Sequence, residues 1–173
     1  NQGDKSLFTL TEQFDGIALT SLSVTPEQVK AARLALTDKR LKAINTAYNQ
    51  IKSFHSAQTP EDITVETCPG VRCTLKTEAI ESVGLYIPAG SAPLPSTVLM
   101  LGVPAQLTGC SRTVLVCPPD KNGQLANEVL VAAELCGITE IYTIGGAQAI
   151  AALAYGTQSI PPVNKVFGPG NRY

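Results

Sequence analysis

The sequence predicts an α/β protein in which an incomplete Rossmann-like parallel sheet follows a helical segment. Two observations predict this class. From Ser82 onward, strand-like runs alternate with helical segments and begin roughly 25 to 30 residues apart, the spacing of βαβ units. Before Ser82, apolar residues recur at the spacing of one helix face. We therefore divide the chain into residues 1–81, a helical segment with a hairpin or linker, and residues 82–173, a Rossmann-like domain.

Three helices are expected in the first third of the chain. Asp4 is a candidate cap for the first helix, and Asp15-Gly16 ends it. The second helix begins with a capping box at residues 25–28, in which Pro26 takes the first helical position. The apolar faces of the first and third helices are formed by Leu7, Leu10 and Phe14, and by Leu41, Ile44, Tyr48 and Ile51.

After the third predicted helix, the spacing of apolar residues changes from helical to alternating, which predicts β-structure. Alternation from Ile63 to Thr67, the Pro69-Gly70 turn and the run from Val71 to Leu75 predict a hairpin or an extended linker. Later strands are expected at Val83 to Ile87, Thr113 to Cys117, Ile141 to Ile144 and Lys165 to Phe167. Helices are expected near Ser96 to Leu107, with Ser96 as N-cap and a kink or break at Pro104, near Leu125 to Cys136, and near Ala147 to Tyr155.

Composition excludes several classes of function. The net charge is −1 and the Lys and Arg residues are scattered, so neither nucleic acid nor an anionic membrane surface is an expected partner. The apolar run from Val98 to Val103 is too short to span a bilayer, and no signal peptide opens the sequence. The five cysteines form no C-x-x-C pair, which favours reduced thiols in a cytoplasmic protein.

Three of the predicted strands end in turn-rich sequence, at residues 86–91, 145–148 and 168–171. Carboxyl ends of parallel strands lie at one edge, where open α/β sheets bind ligands, and glycines followed by helix N-termini favour phosphate. Tyr86, Gln148 and Asn171 are candidate nucleotide contacts. Each also has a structural alternative: a strand-end tyrosine, an amide that satisfies local backbone, and a turn residue. The sequence has no G-x-G-x-x-G motif.

Catalytic and metal-binding groups are not expected within this chain. The one histidine, His55, lies on a helix face, far in sequence from any cluster of ligands or acidic pair. Cys117 follows a strand and is a conceivable nucleophile, although packing at the strand end is the favoured role.

The strand-end motifs resemble the histidinol dehydrogenase family. The similarity is carried by Val83 to Gly90 with Ser96 to Met100, by Ile144 to Thr157, by Phe167 to Asn171, and by shorter matches that include Pro69 to Cys73. It extends over nearly the whole chain. One departure is Ala89, which stands where the family more usually has a glycine before Gly90.

This resemblance implies an enzyme that oxidises L-histidinol to L-histidine through the aldehyde, in two hydride-transfer steps with two NAD molecules and one zinc ion. It implies that Tyr86, Gln148 and Asn171 contact NAD. It also implies an aldehyde-dehydrogenase-like architecture, a homodimer, and zinc ligands and a Glu-His base pair beyond residue 171. The chain is then expected to be an inactive amino-terminal fragment whose first domain is incomplete. Two alternatives are a fragment of an NAD-dependent aldehyde-dehydrogenase-like enzyme and a non-catalytic nucleotide-binding or dimerisation module.

Overall fold

A four-stranded parallel sheet organises the second half of the molecule. The computed structural model describes residues 3–88 and 92–170. Its strands β3 (Ser82–Tyr86), β4 (Arg112–Cys117), β5 (Glu140–Thr143) and β6 (Lys165–Phe167) lie in the order β5-β4-β3-β6, and all three neighbouring pairs are parallel. This is the order of the first four strands of a Rossmann-type sheet, so the predicted α/β class is confirmed.

Six helices surround this sheet in the described part of the chain. The helices are α1 (Asp4–Asp15), α2 (Pro26–Ala35), α3 (Asp38–Ser56), α4 (Pro95–Leu107), α5 (Asn127–Leu135) and α6 (Gly146–Tyr155). In the sequence, an antiparallel hairpin of β1 (Ile63–Cys68) and β2 (Val71–Leu75) follows α3 and precedes β3. None of the described helices combines the length and apolar character needed to cross a membrane.

The two faces of the sheet bury two separate apolar cores. Side chains alternate along β3 and β4, so Leu85 and Leu115 pack on one face whereas Val114 and Val116 pack on the other. The first core is completed by α2, α3, α4 and α5, and the second by α1 and α6. Helices α2 and α3 therefore share a core with the helices of the α/β unit. The domain boundary near Ser82 stays a prediction.

The outer edge of β5 is covered by the segment that leads from α1 to α2. Ser23 forms an antiparallel bridge with Tyr142, the Val24 N–H donates to the Ile141 carbonyl at 2.9 Å, and the Thr143 N–H donates to the Leu22 carbonyl at 2.7 Å. Pairing of an edge strand in this way removes its free backbone donors and acceptors. The first stretch of the chain thus closes one side of the sheet.

Most expected helix signals are confirmed, and three need correction. The capping box is present, with the Gln28 N–H donating to Thr25 Oγ1 and the Thr25 N–H donating to Gln28 Oε1. Asp4 does not cap α1, because its carboxylate accepts from Ser159, 155 residues away. Ser96 is not the N-cap of α4, because Leu94 takes that position. Pro104 does not divide α4, since it lies in the last turn and removes only one hydrogen bond, and a kink at Pro104 stays a prediction.

The hairpin is amphipathic and exposed. Ile63 pairs with Leu75 and Val65 with Cys73 on one face, whereas the polar pairs include Thr64 with Thr74 on the other. Every residue of both strands is exposed. An isolated two-stranded hairpin with an uncovered apolar face has little stability of its own.

Arg112 ties together three segments at the amino-terminal end of the sheet. Its Nε donates to Glu140 Oε1 at 2.8 Å and its Nη2 donates to Glu140 Oε2 at 2.7 Å, which joins β4 to β5. Its Nη1 and Nη2 also donate to the carbonyls of Pro162 and Pro161, which precede β6. The bond to Glu140 raises the pKa of Arg112 despite the opposing effect of burial, so the guanidinium stays charged. Such forked pairs require arginine rather than lysine.

We expect Arg112→Lys to lower the free energy of unfolding by about 1 to 3 kcal/mol, because lysine cannot bond both carboxylate oxygens and the two carbonyls at once. The control is Arg33→Lys, in the more exposed Arg33–Glu134 pair, where we expect a change below about 1 kcal/mol. Urea denaturation of both variants measures the difference. An equal loss of unfolding free energy in both variants would show that the hydrogen bonds of Arg112 add no stability beyond that of an exposed ion pair.

Candidate functional site

The carboxyl ends of β3 and β6 meet in a tight backbone contact. Leu85 pairs with Phe167, and the chain then passes from Phe167 to Gly168 directly beside Tyr86. A Cβ on Gly168 would overlap the Tyr86 carbonyl oxygen and approach its Cβ to 2.8 Å. Only glycine lets the two strand ends lie this close. The neighbours β3 and β6 are where the strand order reverses, the position at which open α/β sheets bind ligands.

The first residues of α6, which follow the end of β5 in the chain, lie beside this contact. Gly145 packs against the Pro118 side chain so closely that any Cβ there would overlap the proline ring. Gly146 follows with φ +65°, a left-handed conformation that side chains rarely adopt. Its N–H donates to the Tyr86 hydroxyl at 3.3 Å. The expected meeting of the Tyr86, Gly145 and Gly168 segments at one edge of a parallel sheet is therefore confirmed.

A cleft of about 350 Å³ opens at this meeting point, and we call it the β3–β6 cleft. Its walls carry backbone and mostly apolar side chains, with Tyr86 and Phe167 as its two aromatic residues among those described. The described residues that line it are Tyr86, Gly146, Ala147, Ile150, Val166, Phe167, Gly168 and Gly170. A mostly apolar cleft with a few directed polar groups is typical of cofactor sites.

Gln148 lies on the other side of α6 from this cleft. Its side chain is only 8% exposed and lines a larger groove of about 680 Å³ between α1 and α6, which we call the α1–α6 groove. Its Oε1 lies 2.5 Å from where a Cβ on Gly146 would stand, so the amide folds back over the start of the helix. The structure thus places Tyr86 and Gln148 on opposite sides of one helix N-terminus. The third candidate, Asn171, lies outside the described residues, as does Ala89.

Sequence reasoning missed several groups that shape the site. Pro118 follows β4, and its ring packs against Gly145. Ile150 and Val166 form apolar walls of the cleft. The position of Pro118 directly after a strand would have placed it at the same edge as Tyr86. Ile150 was identifiable as the residue one helical turn after Ala147.

His55 and Cys117, the histidine and the conceivable nucleophile considered from the sequence, do not line the β3–β6 cleft. His55 is on α3, which packs in the core on the far face of the sheet, and its Nδ1 is 2.7 Å from Gln58 Oε1. Cys117 is buried beneath the other face of the β4 end, and burial raises the pKa of its thiol to about 12. Within residues 3–88 and 92–170, no three His, Cys, Asp or Glu side chains are grouped so that they could hold a metal ion.

Cys117 should be unreactive toward alkylating reagents, because attack requires the thiolate and a thiol with a pKa of about 12 stays protonated across the neutral and mildly alkaline range. Iodoacetamide labelling at pH 8 followed by peptide mass spectrometry checks this. The exposed thiols Cys68 and Cys73 are internal controls that we expect to be labelled rapidly. Labelling of Cys117 at their rate in folded protein would contradict the prediction.

Comparison with known proteins relates the whole chain to one family. The profile of the family described as histidinol dehydrogenase matches residues 1–173. The chain is 85% identical over 173 residues to histidinol dehydrogenase of Colwellia psychrerythraea, covering all of this chain and 40% of that protein. It is 54% identical over 173 residues to the enzyme of Idiomarina loihiensis, covering 39% of that protein.

A solved structure agrees with these sequence matches. The crystal structure of histidinol dehydrogenase from Elizabethkingia anophelis superposes with a TM-score of 0.94 at 45% sequence identity, over 98% of this chain and 39% of that one. The chain thus spans about two fifths of the length of the proteins it matches. On the family profile and these identities, the chain belongs to the histidinol dehydrogenase family.

Proposed function

We propose that this chain is the amino-terminal part of a longer enzyme that oxidises L-histidinol to L-histidine through the aldehyde, in two hydride transfers to NAD. The observation that carries the proposal is the β3–β6 cleft, which lies at the switch in strand order of a chain from the histidinol dehydrogenase family. Family membership favours this reaction over the aldehyde-dehydrogenase-like and non-catalytic alternatives.

The residues at the cleft fit a dinucleotide. The contacts of Gly145 with Pro118 and of Gly168 with Tyr86 leave no room for side chains, so both positions require glycine. The N-terminus of α6 provides N–H groups and a favourable dipole for a pyrophosphate. Tyr86 and Gln148 are the proposed side-chain contacts in the described part, and Asn171 is proposed from the resemblance alone. When bound, NAD supplies the hydride acceptor; this chain binds and orients it and excludes water with Ile150 and Val166.

Zinc does not fit the described residues of this chain, because they bring together no set of ligands for it. We propose that the zinc ligands and the base that removes the hydroxyl proton come from elsewhere in the longer protein. Residues 1–81 would then belong to a first domain completed by that remainder, and residues 82–173 to the cofactor domain. An aldehyde-dehydrogenase-like architecture, a homodimer and a cytoplasmic location are parts of the same proposal.

The test of the proposed function is NADH formation by the full-length protein with L-histidinol and zinc, followed by absorbance at the nicotinamide band. Two molecules of NADH per L-histidine formed are expected. Absence of NAD reduction with histidinol, in protein that is folded and zinc-loaded, would overturn the proposed function.

Residues 1–173 alone should produce no NADH from histidinol. Removal of a hydride from an alcohol needs a base for the hydroxyl proton, and none of the described residues that line the β3–β6 cleft is a carboxylate, an imidazole or an amine. The same assay, run with the chain and with the full-length protein at equal concentration, measures this. Turnover by the chain at a comparable rate would show that the catalytic groups are within it.

Tyr86→Phe in the full-length enzyme should raise KM for NAD by about fivefold with a smaller change in kcat. The substitution removes the hydroxyl that accepts from the Gly146 N–H and leaves the ring in place. The control is Tyr48→Phe, which removes a hydroxyl that donates to Gln106 at 2.7 Å between α3 and α4, away from the cleft. If KM for NAD were the same in both variants, the Tyr86 hydroxyl would have no role in cofactor binding.

A further inference from the structure

The hairpin of β1 and β2 carries an apolar face that the rest of the described chain leaves uncovered. Side chains alternate along the two strands, so three cross-strand pairs share one face. The four aliphatic residues among them are between 47% and 67% exposed, and none of the six belongs to either core. A contiguous apolar surface of this kind indicates an interaction site. The apolar face consists of Ile63 and Leu75 at the base, Val65 and Cys73 in the middle, and Cys68 and Val71 at the tip.

Polar segments join the base of the hairpin to the body of the molecule. The six residues on each side of the hairpin include four acids and one lysine. The Asp62 carboxylate accepts from the Thr77 N–H at 2.9 Å, and Lys76 pairs with Glu78 at 2.6 Å. The base is therefore negatively charged. Within the described residues, its acids without a basic partner are Glu61, Asp62 and Glu81.

The tip of the hairpin offers a cation. Arg72 follows the Pro69-Gly70 turn and is exposed, and none of the ion pairs within residues 3–88 and 92–170 includes it. Glu66, its cross-strand neighbour, instead accepts from the Gly70 N–H at 2.9 Å. The hairpin thus differs in charge along its length, with unpaired acids at the base and an unpaired arginine at the tip.

We propose that the apolar faces of two hairpins stack in the homodimer, with the hairpins pointing in opposite directions about a two-fold axis. This places the bulky Ile63 and Leu75 of each copy over the smaller Cys68 and Val71 of the other, which suits close packing. It also brings Arg72 of each copy toward the acidic base of the other. The inference rests on the proposed function, which includes a homodimer, and specifies one surface of that dimer.

Other arrangements of two hairpins satisfy these features less well. Pairing along the free strand edges would extend the sheet but keep the apolar face in water. Stacking in the same direction would set the two acidic bases against each other and large side chains over large ones. Strands β1 and β2 have six and five residues, about half of the 20 to 30 that each partner contributes to a standard interface, so the stack is one part of a larger contact.

The first test uses the thiols of the full-length enzyme. Stacking in opposite directions sets β2 over β2, so Cys73 faces Cys73 of the second copy, whereas Cys68 faces Ile63. We expect a short bismaleimide to join two Cys73 peptides, a product that is necessarily intermolecular, and mass spectrometry identifies it. The reagent reaches these thiols from the side, because the stack is only two strands wide. Cys68→Ser is the control and should keep the product.

Two neighbouring residues of β1 provide a matched pair of variants for the second test. Val65 lies on the apolar face, and Thr64 lies on the opposite face with its hydroxyl 3.1 Å from that of Thr74. Val65→Asp should raise the dissociation constant of the dimer at least about tenfold, because the two-fold axis sets two carboxylates against each other in an apolar contact. Thr64→Asp adds the same charge and should change that constant by less than about threefold. Sedimentation velocity over a range of concentrations measures both.

The outcomes separate this inference from the proposed function. Selective dissociation of Val65→Asp, together with the Cys73 link, would support the stack. Equal dissociation constants for the two aspartate variants, a monomeric unmodified enzyme, absence of the Cys73 link, or a link between two Cys68 peptides in its place would each overturn it.

Thermal unfolding distinguishes the other way to cover the apolar face. If the remainder of the same chain covered it, Val65→Asp would lower Tm equally at every protein concentration without dissociating the dimer, and the inference would fall. Failure of the unmodified enzyme to reduce NAD with histidinol would overturn the proposed function, whatever the state of the hairpins.

Discussion

The site depends on one constraint, the close approach of the backbone of β6 to the end of β3. Gly168 lies against the Tyr86 carbonyl with no space for a side chain, and Leu85 pairs with Phe167 immediately before it. This contact allows the chain to return across the sheet from β5 and to add β6 on the opposite side of β3. Because the strand order of the sheet reverses there, the ends of β3 and β6 border the β3–β6 cleft.

The packing around the sheet keeps that contact in place from both ends. At the amino-terminal end, Arg112 joins β4, β5 and the Pro161-Pro162 segment that leads into β6. At the carboxyl end, Pro118 fixes Gly145 and so sets where α6 begins. Gly84, in the middle of β3, faces Leu153 of α6, and an added Cβ there would stand 2.9 Å from a Leu153 methyl. The position of α6 is therefore set at its start by Pro118 and near its end by the contact of Leu153 with β3.

The sequence predicted the parts of this architecture that local patterns encode. The capping box of α2, the parallel strands and the common edge of Tyr86, Gly145 and Gly168 follow from period, turn residues and the rule for parallel sheets. Contacts distant in sequence were not predictable in this way. Asp4 has the residue type of a cap, but it bonds to Ser159 across 155 residues, and no local signal distinguishes the two roles. The segment that covers β5 was not predicted either, because its pairing around Ser23 is shorter than the runs of four to eight residues that indicate a strand.

Gln148 shows why a strand-end motif does not by itself define one pocket. Residues in an α-helix rotate by about 100° each, so a residue two positions after Gly146 projects roughly 200° away from it. Ala147 and Ile150 therefore line the β3–β6 cleft, whereas Gln148, Ala151, Ala152 and Tyr155 line the α1–α6 groove, each set at helical spacing. A ligand that contacts both Tyr86 and Gln148 has to pass over the N-terminus of α6. That path suits an elongated molecule with charge at its centre, because the free N–H groups and the positive end of the helix dipole lie between the two cavities.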